Sequence, residues 1–461
     1  MPDAPRAAVY AARWVVPASA PPVRDGAVAV DPAGRISYVG PRAAAPAPVT
    51  DDLGDAVLLP GLVNAHTHLE LTAFRGLLEH ASFFAWIRTL TRARAEVLTA
   101  RDLADAAHVG VCEALAAGVT TCADTAFTGP AVAAALAALG ARGVVYQEVF
   151  GPDPAQRPAA LAALQRQVAA LRRQVADAGA ADRVRVGVSP HAVYSVHEDL
   201  LLDACAWAVG ERLPVAMHVS ESPAEVAFLR DAEGPFADFL RGRGIPVQRR
   251  AHSPVHLLAE LGVAAVARPL LIHGVQFDSS DVALAAHYDC PVAHCPASNA
   301  KLGHGAAPLR ALLDAGVRVA LGTDSVASNN RLDVLDEARA AALTARAALR
   351  RADALTAAEA LHLATLGGAR ALDLDADVGS LDVGKQADLA AFSLADARAT
   401  PAEDPVATLI WTVAGRPALL TVVAGHVVAR HGHALGADPA AHARVRAASA
   451  RLAEWQAAQP A

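Results

Sequence analysis

The sequence predicts an α/β fold, a (β/α)8 TIM-like barrel with a small β-sandwich formed from both chain termini. Three observations predict it. Eight short β-branched runs alternate with helical stretches through the middle of the chain. The two ends read instead as short strands broken by turns. Histidines and acids gather at the C-terminal ends of the central runs, the edge where a barrel of this kind carries its chemistry.

The eight runs are 57–64, 119–123, 144–150, 184–188, 215–219, 270–273, 291–294 and 317–321. Each is apolar nearly throughout, as expected of parallel strands covered on both faces. The stretches between them carry helical periodicity; in 155–178, Leu161, Leu164, Val168 and Leu171 recur on one face. The barrel is therefore assigned to 57–374. Turn signals such as Asp31-Pro32-Ala33-Gly34, Gly384-Lys385 and Gly425-His426 punctuate residues 1–56 and 375–435. Neither segment is long enough to bury a sheet alone, so the two are expected to share one sandwich. Residues 436–461 read as a C-terminal surface helix. The stretch 230–254, with Arg241, Arg243, Arg249 and Arg250, is either a lid over the active face or a solvated excursion.

With 461 residues, 54% of them hydrophobic, the chain has room for a large barrel plus an accessory domain. The net charge of −7 comes without a basic block, which argues against a nucleic-acid partner. Cys112, Cys122, Cys205, Cys290 and Cys295 form no CxxC pair and are expected to be reduced and mostly buried, in a cytoplasmic protein. The first residues lack a signal-peptide pattern, and no apolar run is long enough to span a bilayer, so no membrane partner is expected.

The chemistry-bearing residues begin with His66 and His68, which directly follow the first run. Imidazoles two residues apart on a strand point the same way and supply half of a four-ligand metal site. Ser189-Pro190-His191 follows the fourth run, and His218 lies in the fifth with Glu221 three residues on. His273 ends the sixth, and Gly322-Thr323-Asp324-Ser325 follows the eighth. Four histidine-bearing strand ends and an aspartate thus converge on one face.

The motifs Pro60-Gly61-Leu62-Val63-Asn64-Ala65-His66-Thr67-His68, His218-Val219-Ser220-Glu221, Leu271-Ile272-His273-Gly274, Cys295-Pro296-Ala297-Ser298-Asn299 and Leu321-Gly322-Thr323-Asp324-Ser325 resemble those of the amidohydrolase superfamily, in its mononuclear nucleoside and nucleobase deaminase branch. The resemblance implies a metal-dependent hydrolase barrel holding one divalent metal per chain, zinc by default and ferrous iron as the alternative. It implies His66, His68, His218 and Asp324 as metal ligands, His273 as the residue that holds the attacking hydroxide, and Glu221 as the proton shuttle. The physics agrees. A divalent metal lowers the pKa of bound water to about 7. A carboxylate such as Asp324 can take that water's proton, and a second one, Glu221, can protonate a ring nitrogen as water adds. Dinuclear members carry a carboxylated lysine on the fourth strand. Here the fourth run has none, and the chain's two lysines, Lys301 and Lys385, lie elsewhere, so a mononuclear site is expected.

Other readings stay open at several positions. Glu221 also suits the start of the helix that follows it. His191 is a substrate contact or a turn residue. Trp86 stacks on a purine or packs a helix. Ser298 is a substrate contact or orders its loop. The resemblance implies a small-molecule substrate and a homodimer. Two related groups fit: methylthioadenosine/S-adenosylhomocysteine deaminases and 6-aminodeoxyfutalosine deaminases of menaquinone biosynthesis. The first group tends to place an arginine on or after the third strand; here Tyr146-Gln147-Glu148-Val149-Phe150 has Glu148 and no arginine, which favours the second. An aryl carboxylate would then need an arginine, with Arg75, Arg241, Arg243 and Arg331 as candidates. The alternatives are a methylthioadenosine- or adenosine-type deaminase, a cyclic amide or C–Cl hydrolase, and a non-enzymatic scaffold.

Overall fold

The computed structural model describes residues 7–79 and 81–459. The chain starts with β1 (Ala8–Val15), β2 (Val23–Val30), β3 (Ile36–Pro41), the short β4 (Asp51–Asp52) and β5 (Ala56–Pro60). It then enters eight parallel strands: β6 (Leu62–Thr67), β7 (Val119–Ala126), β8 (Arg142–Val149), β9 (Val184–Pro190), β10 (Ala216–Val219), β11 (Leu270–His273), β12 (Val292–His294) and β13 (Val319–Leu321). It returns through β14 (Leu389–Ser393), β15 (Leu420–Val423), β16 (His426–Arg430) and β17 (His433–Ala434).

The parallel strands form two four-stranded sheets, β6-β7-β8-β9 and β10-β11-β12-β13. The sheets are joined at both seams by the parallel bridges Val188–Val215 and Thr67–Asp324. At those seams the His218 amide donates to the His191 carbonyl and the Asp324 amide to the His66 carbonyl, each at 3.0 Å. Strand order therefore runs from β6 round to β13 and back to β6, which carries the residues following β6, β9, β10, β11 and β13 to one edge. Helices cover the outside, and every residue of β6, β7 and β8 is buried.

Strands from both termini share a single nine-stranded sheet. β1 pairs with β2 and β5, and β5 pairs antiparallel with β14. The run expected as one strand, 57–64, is two. Ala56–Pro60 belongs to the terminal sheet and Leu62–Thr67 to the parallel set. The joint is Gly61, where a Cβ would lie 2.2 Å from Thr120 Oγ1. Apolar residues on both sides of the joint hide it from hydropathy.

Two surface expectations change. The C-terminal helix Pro439–Ala457 buries Ala441, Val445, Ala448 and Leu452. It is tied to the helix Ala100–Ala116 by Arg444–Asp105 at 2.5 Å and Arg451–Asp102 at 2.7 Å. The 230–254 excursion holds the helix Pro235–Gly242, whose Phe236 stacks on Tyr194 with ring centroids 4.0 Å apart. Phe236 also meets Phe83 and Phe84 edge-on, so this excursion is packed rather than free in solvent. Among the described residues no helix is long and apolar enough to cross a membrane. All five cysteines are free and buried.

Candidate metal centre and active site

β6 delivers His66 fully buried, with His68 just beyond the strand end. Their ring centroids are 4.9 Å apart and nearly perpendicular. His218, from β10, stands 5.0 Å from His66 and lies parallel to His68 at 5.4 Å. Asp324 follows β13 and crosses the seam, so its Oδ1 lies 3.3 Å from His66 Nε2 and 3.6 Å from His68 Nε2. His273 ends β11 with its ring 5.6 Å from His66 and 5.7 Å from His218. Three of the residues that turn the chain here hold positive φ without being glycine: Ser220 at 53°, His273 at 78° and Asp324 at 56°. Each such conformation costs on the order of 1–3 kcal/mol, and such residues concentrate at functional sites.

The surrounding residues hold these groups in place. Asp324 Oδ2 accepts from Ser298 Oγ at 2.6 Å and from Ser328 Oγ at 2.8 Å, while Oδ1 accepts from the Ser325 amide at 2.6 Å. His218 Nδ1 donates to the His191 carbonyl at 3.1 Å, turning Nε2 toward the cluster. His273 Nδ1 donates to Asn299 Oδ1 at 3.0 Å. Its Nε2 then faces Glu221 Oε1 at 3.7 Å, and His304 Nε2 lies 3.5 Å from the same oxygen. The helix-start reading of Glu221 loses its ground. Ser222 caps the helix Pro223–Arg230 and Glu225 fills its first turn. Glu225 also accepts the Glu221 amide at 2.8 Å. Burial pushes the Glu225 carboxyl up to about 8.

Electrostatics favours the ligand form of each group. Burial drives the His66 ring down to about 3, and burial lowers His68 and His218 as well, so all three imidazoles are neutral. Burial alone would raise Asp324, but the hydrogen bond with His66 and the ring of histidines around it outweigh burial and hold the carboxyl well below its usual range. Neutral imidazoles beside an ionised carboxylate are what a divalent cation needs. Neither ring nitrogen of His66 has a hydrogen-bond partner among the described residues, although both are buried. A buried polar atom left unpaired is costly, and a cation would satisfy the ligating nitrogen. Donor atoms within 4.8 Å of one another are offered by His66–His68–Asp324, by His66–His218–His273, by Glu148–His191–His218 and by Glu221–His273–Asp324. The residues therefore fit a metal. β9 carries Arg185 and no lysine. Lys301 pairs with Glu79 and Lys385 bonds Ser380 and the Val378 carbonyl, both away from this cluster.

The remaining sequence candidates divide. His191 is inside the site: its ring lies 4.7 Å from His218, and its Nδ1 meets Ser195 Oγ at 2.7 Å. Glu148 is buried at the end of β8 in donor range of His191 and His218, with Oε1 unpartnered. Trp86 is not brought to the site. It is buried in an apolar cluster with Leu71, Phe74 and Leu452, because its side of the helix Phe83–Val97 faces the C-terminal helix. Phe83, three residues earlier, is the one that reaches inward, edge-on to His304 at 4.5 Å. Ser298 contacts Asp324 rather than facing the cleft. All four arginine candidates are turned elsewhere. Arg75 binds Glu113, Arg331 binds Asp336 at 2.6 Å, Arg241 binds the Ala232 carbonyl at 2.6 Å, and Arg243 lies over Phe239. Sequence reasoning assigned no role to Ser328 or His304, nor to Glu70, which accepts the amides of Phe127 and Thr128 at 3.0 and 2.8 Å. Ser328, four residues after Asp324, was findable as the next turn of the short helix Val326–Asn329.

The amidohydrolase family model matches residues 57–428. A 5-methylthioadenosine/S-adenosylhomocysteine deaminase of Halobacterium salinarum is 36% identical over 423 residues, 91% of this chain and 92% of that protein. A zinc-bound adenosine deaminase from Xanthomonas campestris superposes with a TM-score of 0.86 at 31% identity, covering 98% of this chain and all of that one. The aminofutalosine deaminase of Helicobacter pylori, in complex with methylthio-coformycin, shares the fold with a TM-score of 0.78 at 22% identity, over 92% of this chain and 100% of that one. The chain belongs to the amidohydrolase family, and its relatives named above are deaminases.

Proposed function

We propose that this amidohydrolase is a metal-dependent hydrolytic deaminase, converting a 6-aminopurine nucleoside and water to the 6-oxo product and ammonia. The scaffold is read as a (β/α)8 barrel, from the cyclic strand order, with the terminal sheet as its β-sandwich. One observation carries the reaction class: Glu221, His273 and Asp324 bring two carboxylates and an imidazole within 4.8 Å of one another, beside the ligand histidines. Hydrolysis of a cyclic amidine needs one group to take a proton from water and another to give one to the ring.

His66, His68, His218 and Asp324 would hold one divalent cation, with zinc favoured. Such a cation supplies a nucleophile at neutral pH by lowering the pKa of water to about 7. Asp324 accepts the proton of the attacking water. Glu221, steered by His304 and His273, protonates N1 of the purine as oxygen adds to C6, so negative charge does not build up on the ring. His273, fixed by its bond to Asn299, orients the incoming oxygen. Asp324 passes the proton it took from water to the amino group, which leaves as ammonia, and the proton remaining on the added oxygen returns to Glu221 as the C6 carbonyl forms. His191 and Glu148 line the same cleft as substrate contacts. Burial holds the Glu148 carboxyl well above its usual range, which makes it a hydrogen-bond donor as well as an acceptor.

The favoured substrate is 6-aminodeoxyfutalosine, which would place the enzyme in menaquinone biosynthesis in the cytoplasm. Glu148, where the S-adenosylhomocysteine-type pattern tends to carry an arginine, supports that choice. Methylthioadenosine or adenosine deamination is the second reading, supported by the identity to the Halobacterium salinarum deaminase. The test is ammonia release by metal-replete protein on 6-aminodeoxyfutalosine, methylthioadenosine, S-adenosylhomocysteine and adenosine. A kcat/KM of about 10⁴ M⁻¹s⁻¹ or more on the first compound, well above the others, is expected. A preference for another nucleoside keeps the mechanism and changes the pathway. No release from any of them overturns the deaminase reading.

A further inference from the structure

A line of rings leads away from the ligand histidines. His191 lies 4.7 Å from His218, Phe150 lies 4.7 Å from His191, and Phe127 lies 6.3 Å from Phe150, centroid to centroid. At its far end the guanidinium carbon of Arg94 sits 4.0 Å from the centre of the Phe127 ring. Phe127 is 45% exposed, with the Arg94 guanidinium on one face. That loop is fixed by Glu70, which accepts the Phe127 and Thr128 amides. The ring is therefore presented rather than left over.

Arg94 is half-buried on the helix Phe83–Val97, and among the described residues no carboxylate forms an ion pair with it. Most other arginines near this face are already engaged, as Arg75 and Arg331 show. Arg94 is thus a cation with an aromatic platform beneath it and, among the described residues, no carboxylate in ion-pair contact.

We infer that Arg94 is the anion-binding end of the substrate cleft, taking a carboxylate borne on an aromatic arm of the nucleoside, with Phe127 and Phe150 as the wall on which that arm stacks. The inference rests on the deaminase reading above and adds to it the chemistry of the substrate's far end. The purine sits at the ligand histidines, and the arm follows the line of rings outward. Its carboxylate meets the guanidinium where water is only partly excluded, so the contact acts on binding and not on the chemical step. Arg94 is a specificity residue in this account.

The test compares 6-aminodeoxyfutalosine with its methyl ester, which keeps the aromatic arm and removes the charge. Metal-replete wild type is expected to favour the acid by ~10–100-fold in kcat/KM, the range of a charge-assisted hydrogen bond. In Arg94→Met, which keeps an unbranched side chain and removes the charge, that preference collapses through KM for the acid, while Arg94→Lys restores part of it. Thermal melting of both variants confirms the fold. If Arg94→Met keeps the preference, or wild type turns over both compounds equally, the Arg94 assignment is overturned and the deaminase reading stands. Ammonia from neither compound, with turnover of methylthioadenosine or adenosine, overturns the Arg94 assignment and leaves the deaminase reading; no ammonia from any of the four overturns both.

Discussion

Arg142 and Asp388 are as deeply buried as His66 and Asp324, yet the two groups are built on opposite terms. Arg142, at the start of β8, donates to Asp388 from Nε at 2.9 Å and from Nη2 at 3.0 Å. Nη2 also donates to Gln386 Oε1 at 2.6 Å, and Asp388 Oδ1 accepts the Ala424 amide at 2.8 Å. This pair ties the N-terminal end of a parallel strand to the terminal sheet, with both charges matched by the chain itself. At the other end of the strands, His66 offers two buried nitrogens without a hydrogen-bond partner among the described residues, and its neighbours hold positive φ. A satisfied cluster fixes how parts fit together; an unsatisfied one is kept for a guest. In a strand-and-helix repeat these belong at opposite ends, stability at the N-terminal face and chemistry at the C-terminal face.

Substitutions at each end should separate the two roles. The largest effect is expected from Glu221→Gln, which keeps shape and removes the proton donor. Ammonia release should fall by about 10²–10⁴-fold with melting temperature and metal content held, measured by steady-state kinetics, calorimetry and elemental analysis. Asp388→Ala should do the reverse. It leaves Arg142 buried with its main partner gone, costing about 3–5 kcal/mol in denaturant unfolding, while metal bound per folded chain stays as in wild type. A Glu221 variant that unfolds, or an Asp388 variant that loses metal while folded, would break the division. A smaller effect sharpens it. Ser298→Ala removes one hydroxyl from Asp324 Oδ2 and leaves Ser328 on the same oxygen. Metal affinity, read by competition with a chelator, should weaken by about 10–100-fold. An unchanged affinity would show that Ser328 alone orients the carboxylate.

The contrast also explains what the sequence made legible. His66, His68, His218 and Asp324 were readable because strand period and strand-end position fix where such side chains point. Glu221 was readable as an acid near them, but its choice between helix start and cleft needed Ser222 in place as the cap. Contacts between residues far apart in the chain were not readable: Arg142 with Asp388, Ser298 with Asp324, and Asn299 with His273. Trp86 was left between stacking on a purine and packing a helix because its helix face, which the C-terminal helix decides, is not written in the local sequence. The break at Gly61 was invisible because hydropathy is equal on both sides, and only the approach of Thr120 marks it. Arg94 escaped because nothing in its local sequence, Thr91-Arg92-Ala93-Arg94-Ala95, differs from an ordinary solvated helix.

We assign a divalent cation to the unsatisfied cluster at the strand ends. Metal per chain, measured by mass spectrometry on zinc-supplemented, gel-filtered protein, tests it most directly, with His66→Gln run in parallel. The account predicts about one zinc per wild-type chain, as a single three-histidine, one-carboxylate site requires, and close to none in the folded variant. Wild-type protein free of metal under those conditions, or a variant that retains its full complement, would contradict it.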